Sequence, residues 1–341
     1  MIPMASYGFL LILSCASTGL VRRYALTTNL LDIPNARSSH TIPTPRGGGI
    51  AFVICFLAAI GFVLIKQRIT PSMGFIFMGP GLLVAVLGFL DDRYQLPAVY
   101  RLIGHFALAV GAVLLLDNFT NLPLFSSHRE WLWTGQILAV FYLVWGLNLF
   151  NFMDGIDGLA AAETVCICIG GSLLYFLQGN RELLALPLLL AAAVGGFLIW
   201  NFPPARIFMG DAGSGFLGFS VSILSLQAAM VQERLFWCWF ILAGVFFTDA
   251  TLTLIRRGLR GARLLEAHRT HAYQHAVQYY GKHWPITVGV ILINLFWLLP
   301  IAVMLEKGFM GIIPSLALAY LPLAALAFKF NAGKEAVDAA C

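Results

Sequence analysis

Five aspartates stand where an apolar stretch meets a short polar loop: Asp91, Asp92, Asp154, Asp157 and Asp211, all in segments supplied with Gly or Asn. Carboxylates gathered at such boundaries can hold a divalent cation or move a proton. The adjacent pair in Gly88-Phe-Leu-Asp91-Asp92-Arg93 suits either task, because neighbouring carboxylates repel each other until a cation sits between them. Arg101, about two turns further on, is placed to meet a phosphate. In Asn148-Leu-Phe-Asn151-Phe-Met-Asp154-Gly-Ile-Asp157-Gly158 a polar group recurs every third residue. On a helix, positions 148, 151 and 154 step by about −60° and share one face. Gly155 and Gly158 permit a turn and close backbone approach to a ligand. Helix capping explains one or two of these residues, not four at regular spacing.

Arg206-Ile-Phe-Met-Gly210-Asp211-Ala-Gly213-Ser214-Gly215 is a small-residue turn opening an apolar run. A helix N-terminus there offers backbone N–H groups to an anion such as a diphosphate. Asp211 would repel that anion unless it holds a metal bridging the two, so one Mg²⁺–diphosphate complex satisfies both roles. Further on, His268, His271 and His275 (i, i+3, i+7) are expected on one helical face, within a segment 256–284 that also carries Arg269. Zinc binding, a basic amphipathic helix on anionic headgroups and a phosphate-recognition surface are three readings of it. Arg37-Ser-Ser-His40-Thr-Ile-Pro43-Thr-Pro45-Arg46-Gly47-Gly48-Gly49 makes a shaped loop, either a flap that positions phosphates or a plain linker.

The elements that must position these groups are set by composition. Of 341 residues 60% are apolar and 11% charged, against roughly 25% charged in a soluble domain. Mean hydropathy is +0.84. These values exclude a soluble globular enzyme, a disordered chain and a fibrous repeat. A membrane helix needs about 20 mostly apolar residues. By that ruler the spans are 3–21, 47–65, 73–90, 100–116, 132–150, 159–177, 183–200, 213–231, 235–255, 285–305 and 311–329. The expectation is one all-α polytopic membrane domain over 1–341, with 256–284 as a loop within it. Continuous runs such as Leu183–Ile199 exclude a barrel, whose strands alternate. Fifteen of the 21 Lys and Arg fall on alternate loops, which puts the N-terminus outside and the C-terminus in the cytoplasm. The five aspartates share the basic side. In a membrane protein the net charge of +5 speaks of loop orientation, not nucleic-acid binding. The first run lacks a basic leader and reads as a retained helix. Five of the six Cys lie within apolar runs, without metal spacing, and read as small buried hydrophobes.

Together these segments resemble the polyprenyl-phosphate N-acetylhexosamine-1-phosphate transferases, the family of MraY and WecA. The resemblance follows the chain in order: the PTPRGGG loop, the DD pair, NxxNxxDGxDGL, the FMGDxGS turn and the His-containing last loop. HRTHAYQH is closest to the WbpL-like branch, which starts O-antigen and lipopolysaccharide glycan assembly. MraY members show a run of adjacent histidines there, which this chain lacks, so a muramoyl-pentapeptide substrate is disfavoured.

The resemblance implies transfer of a sugar-1-phosphate from a UDP-N-acetylhexosamine to undecaprenyl phosphate, releasing UMP, at the cytoplasmic face of a bacterial inner membrane. N-acetylfucosamine or N-acetylquinovosamine is the expected sugar, with N-acetylglucosamine as the WecA-like alternative. Carried over by position, Asp211 is the principal Mg²⁺ ligand, with Asp92 beside it and Mn²⁺ as a substitute metal. Asp91 and Asp92 serve metal, phosphate or proton transfer. Asn148, Asn151, Asp154 and Asp157 belong to the nucleotide-sugar cleft, and His268 and His271 meet the donor's phosphates or sugar. Arg46, Arg101, Arg206, Ser214 and Arg269 complete the expected substrate contacts. The resemblance also admits a homodimer. Direct attack by the lipid phosphate is favoured, because that phosphate is already ionised at neutral pH; an aspartyl-phosphate route is the alternative. A transporter, the reading from a different class, would place charges near mid-span on inverted repeats. Asp249 is the nearest candidate charge, and no repeat is evident.

Overall fold

Backbone groups in lipid must satisfy their hydrogen bonds internally, so long apolar runs become helices. The computed structural model describes residues 2–34, 42–116, 132–263, 266 and 268–335. Arg37 and His40 of the Pro/Gly loop lie outside the described residues. The chain begins with α1 (Met4–Thr27), β1 (Leu31–Asp32), β2 (Thr44–Pro45), α2 (Gly49–Ile65), α3 (Pro71–Ile76), α4 (Leu82–Tyr94) and α5 (Ala98–Leu115). It continues with α6 (Leu132–Met153), α7 (Leu159–Gln178), α8 (Ala185–Asn201), α9 (Asp211–Val231), α10 (Glu233–Leu242) and α11 (Gly244–Leu259). The last four are α12 (Ala272–Tyr280), α13 (Trp284–Ile293), α14 (Leu299–Glu306) and α15 (Ile312–Lys329). β1 and β2 pair antiparallel, Leu31 opposite Pro45, and are the only ladder among the described residues. The architecture is that of an all-α polytopic membrane protein.

Nine helices among the described residues are long and apolar enough to cross a membrane, with Pro71–Tyr94, Arg181–Asn201 and Trp284–Glu306 each forming one span. The 17-residue α2 and the pair α10–α11 stand at the other two expected spans. That pair corrects the sequence expectation. Residues 235–255 are not one straight helix but two, meeting at 71° around Ala243. Gly244 opens α11 at the break, and α11 carries Asp249, Arg256 and Arg257 beyond it. The bend carries Asp249 towards the candidate site. Two other spans stay continuous through a π-turn, Phe77–Gly81 and Asn294–Leu298. Pro80 lies inside the first, where a missing N–H and a ring that crowds the preceding turn disturb regular α-helical bonding.

α9 runs through the middle of the bundle, buried from Ala212 to Leu226. Gly213, Ser214, Gly215, Gly218, Ser220 and Ser222 give it a narrow surface, and small residues are what allow helices to approach closely in a membrane. A Cβ at Gly88 of α4 would collide with the Asp211 carbonyl, and one at Gly218 with the carbonyl of Gly146 in α6. α2 reaches α9 in the same way, where Gly49 meets Gly213. These contacts place the C-terminal end of α4 and the N-terminal end of α2 against the N-terminus of α9.

A further buried acid lies in the second turn of a span. Glu163 of α7, fully buried, accepts a hydrogen bond of 2.5 Å from Asn294 Nδ2 at the second π-turn. The sequence reading assigns it no role.

Candidate active site

The Pro/Gly loop is a built part of the site. Phe208 N donates to Pro45 O (2.8 Å), while Gly48 N and Gly49 N donate to Phe208 O and Met209 O (both 2.9 Å). This pairing lays the loop along the segment preceding α9 and delivers Arg46 to the acids. Arg46 Nη2 lies 2.5 Å from Asp92 Oδ1 and 3.5 Å from Asp211 Oδ1. Arg101 Nη1 comes from α5 to within 2.6 Å of Asp91 Oδ2 and 3.8 Å of Asp211 Oδ2. Asp211 is therefore bracketed by two guanidiniums, each anchored on a different member of the DD pair. Burial works against the charge on Arg46, but Asp92, Asp211, Asp32 and Asp154 outweigh it and raise its pKa above the arginine norm.

The two members of the pair differ. Asp91 Oδ1 accepts from Leu96 N (2.9 Å), which ties it to the turn after α4. Asp92 accepts from Asp211 N (3.1 Å) and Ala212 N (3.4 Å), and so caps the N-terminus of α9. The sequence expectation of free N–H groups awaiting a diphosphate is corrected here. A carboxylate of the protein already occupies that partially positive helix end. Gly210 precedes it at φ 81°, and a Cβ there would lie 2.6 Å from Asp92 Oδ2, so both conformation and space call for glycine.

Beside the acids lies a recess of about 320 Å³. One wall is Arg101 and His105 of α5 with Asn148 and Asn151 of α6; the other is His268, His271, Tyr273 and Gln274. His271 stacks on Phe152 and His268 at centroid distances of 6.0 and 5.0 Å, and Tyr273 Oη donates to Phe152 O (2.9 Å). Arg101 Nε, His105 Nδ1 and His271 Nε2 are all buried without a hydrogen-bond partner among the described residues. Unpaired polar groups are costly to bury, so three on one recess point to a ligand that pairs them. Asp154 follows α6 at this edge. Burial and the charge of Asp211 hold its carboxyl well above the usual carboxylate range, against the pull of Arg46.

Asp157 turns to a second recess of about 370 Å³, shared with Phe208, Lys282 and His283. Its Oδ1 lies 3.0 Å from His283 Nδ1 and its Oδ2 accepts from Ala205 N (3.0 Å). Gly158 N donates to Asn201 Oδ1 (3.0 Å), which fixes the turn between α6 and α7. Asp154 and Gly155 thus separate two recesses on either side of one loop.

His271 is oriented by a residue that the sequence reading did not place in the site. Asp249 Oδ1 lies 3.3 Å from His271 Nδ1 and accepts from Ala272 N and Thr253 Oγ1, while Oδ2 accepts from Tyr273 N (2.9 Å). Asp249 both starts α12 and holds the imidazole, leaving Nε2 as its free nitrogen. The only sequence signal is an acid inside an apolar run 22 residues before a histidine. Replacing Asp249 by Asn is expected to lower turnover about 10–100-fold, the usual scale for a residue that orients a functional imidazole. A kcat unchanged from wild type in a folded variant would remove Asp249 from the site.

Other sequence-derived positions are not brought here. Because α12 begins only at Ala272, His275 does not share a face with His268 and His271; its Nε2 lies 3.0 Å from Lys334 O at the exposed edge. Arg206 is exposed and stacks on Trp200 instead of entering a recess. Ser214 is buried in α9 with its Oγ unpartnered among the described residues, and Arg269 is half-buried without lining the recess.

Burial, with His271 and Arg257 nearby, lowers the His268 pKa from 6.5 to about 4. Between these values the folded chain binds fewer protons than the unfolded one, so stability is fully present above pH 6.5 and falls as pH drops towards 4. Melting temperatures of wild type and His268→Gln across this window should diverge, with wild type losing more. Parallel curves would show that His268 does not titrate there.

Among the described residues no group of three or more His, Cys, Asp or Glu is arranged to hold a metal ion. Mg²⁺ does not require one, since it is commonly bound by one or two carboxylates together with substrate phosphates. Asp92 and Asp211 are hard oxygen donors that share one guanidinium nitrogen and so face a common point. This donor set fits Mg²⁺.

A membrane bundle with carboxylates, guanidiniums and imidazoles gathered at one end has the makings of a site for phosphate chemistry. Residues 74–229 match the family model of glycosyl transferase family 4. The chain is 34% identical over 279 residues to the probable undecaprenyl-phosphate N-acetylglucosaminyl 1-phosphate transferase of Bacillus subtilis, covering 80% of this chain and 76% of that protein. It is 27% identical over 319 residues to the decaprenyl-phosphate N-acetylglucosaminephosphotransferase of Mycobacterium tuberculosis, covering 82% and 77%. To the phospho-N-acetylmuramoyl-pentapeptide-transferase of Moorella thermoacetica it is 30% identical over 275 residues, covering 76% and 81%. The chain belongs to glycosyl transferase family 4, the MraY/WecA-like membrane transferases.

Proposed function

We propose that the protein transfers an N-acetylhexosamine-1-phosphate from a UDP-sugar to undecaprenyl phosphate, releasing UMP and starting a lipid-linked O-antigen glycan at the cytoplasmic face of a bacterial inner membrane. The carrying observation is the bracket of Arg46 and Arg101 on Asp91, Asp92 and Asp211, opening on a recess with three unpaired buried nitrogens. Two anionic substrates repel each other, and the two guanidiniums supply positive charge where they must meet. Asn148, Asn151, His268 and His271 line the recess that takes the sugar phosphate, and Asp157 marks the recess on the nucleoside side. Asp211 and Asp92 would hold Mg²⁺, which when bound with the diphosphate neutralises charge that builds up as the phosphates approach. An oxygen of the lipid phosphate attacks the β-phosphorus, a new P–O bond forms, and the bond to UMP breaks. Asp91, pinned by Arg101 and Leu96 N, sets the protonation of the incoming phosphate.

Purified protein should release UMP only when UDP-sugar, undecaprenyl phosphate and Mg²⁺ are all present. Sustained release, beyond one UMP per enzyme, without the lipid phosphate would overturn the reading. Phosphorylated protein trapped with donor alone would replace direct attack with an aspartyl-phosphate route. The HRTHAYQH segment supports UDP-N-acetylfucosamine or UDP-N-acetylquinovosamine as donor, and the missing run of adjacent histidines disfavours a muramoyl-pentapeptide substrate. The similarity to the Bacillus subtilis relative favours N-acetylglucosamine as the second reading. A panel of the three donors, compared by kcat/KM, decides between them.

A further inference from the structure

Arg22 and Arg206 line neither recess, yet the fold brings both to one indole ring. Trp200, the penultimate residue of α8, is fixed on α1: its Nε1 donates to Cys15 O (2.9 Å), and a Cβ at Gly19 would lie 3.0 Å from its ring. The chain then turns back, Arg206 N donating to Trp200 O (2.8 Å). The guanidinium carbons of Arg22 and Arg206 lie 5.8 and 5.9 Å from the ring centroid, and Arg22 Nε donates to Arg206 O (3.1 Å). Neither guanidinium has a carboxylate within ion-pair distance among the described residues.

Two like charges drawn to one ring repel each other, and the indole face offsets that only in part. An anion between or beside them removes the repulsion, and phosphate oxygens match the planar guanidinium fork. The position selects the kind of phosphate. Trp200 and Arg22 stand at the ends of the expected spans 183–200 and 3–21, where indole rings and basic side chains meet headgroups. Leu20, Tyr24 and Ile199 are each more than half exposed beside them, which gives the platform an apolar flank for acyl chains. We propose that Arg22, Trp200 and Arg206 form a binding site for the phosphodiester headgroup of an anionic phospholipid in the adjoining leaflet.

The test uses the full chain in detergent and in nanodiscs of phosphatidylglycerol or phosphatidylcholine. Native mass spectrometry should find phosphatidylglycerol retained by wild type. Phosphatidylglycerol, but not phosphatidylcholine, should raise the melting temperature. Arg22→Gln with Arg206→Gln should cut retention about tenfold and abolish the melting shift. Arg206→Gln alone, at an exposed position, should lose part of both and covers the case of a double variant that does not fold. Equal retention and equal shifts in wild type and variants would overturn the site. The same shift from inorganic phosphate, or displacement of phosphatidylglycerol by undecaprenyl phosphate, would overturn the phospholipid assignment in favour of a free or acceptor phosphate. Neither arginine serves the transfer proposed above, so the two readings fail separately.

Discussion

Asp211→Asn is expected to lower UMP release about 10³-fold without weakening the fold, on the scale of losing one group that stabilises transition-state charge. The amide keeps the size of the carboxyl but not its charge. That charge faces Arg46 at 3.5 Å and Arg101 at 3.8 Å, and with Asp92 would hold the metal. Removing it also relieves repulsion among three neighbouring acids, so the melting temperature should stay level or rise. Asp92→Asn should behave differently. Its oxygens cap α9, and a weakened cap costs about 1 kcal/mol on top of any loss of turnover. UMP release at saturating Mg²⁺, together with thermal melting, separates the two effects. If Asp211→Asn kept full Mg²⁺-dependent turnover, the metal assignment would be wrong.

Gly88→Leu is the second large effect. A side chain there runs into the backbone of Asp211 and Ala212, which belongs to a helix end and cannot swing aside. α4 must retreat from α9, which parts Asp92 from the two amides it caps. Overpacking of this kind costs about 1–3 kcal/mol. Displacing reacting groups by about 1 Å costs about 10²-fold in rate. Gly61→Leu in α2 is the control, because a Cβ there meets nothing within 4 Å. Melting and turnover should fall together at Gly88 and hold at Gly61; a Gly88→Leu variant with wild-type turnover would show that α4 does not position the acids.

What could be read from the chain divides by the range of the interactions concerned. The spans were legible because a run of about 20 apolar residues has few other outcomes in a 30 Å hydrocarbon layer. The bend before α11 was not, since a hydropathy window averages the apolar start of 235–255 with its polar end. Asp91, Asp92 and Asp211 announced themselves by standing at span ends. Which cation serves which acid did not, because Arg46 and Arg101 reach them through loop pairing and helix packing between distant segments. His275 was misplaced for a local reason with a distant cause: Asp249 captures the amides of Ala272 and Tyr273, so the helix starts after His271. Arg206 looked like part of the phosphate turn, and only the seating of Trp200 on α1 shows where it goes.

The bond between Glu163 and Asn294 has a consequence for how the chain is made. The partners lie 131 residues apart, so at about 5–20 residues per second the ribosome needs roughly 7–26 s to deliver the amide after the carboxyl has entered the membrane. Glu163 stands in the second turn of α7, and an acid inside a membrane span is expensive to leave in lipid. During that interval α7 must shelter Glu163 in the insertion machinery or against the helices already made. The segment from α13 onward is therefore needed to satisfy an acid made at mid-chain, and chains truncated before α13 should leave α7 poorly retained in the bilayer.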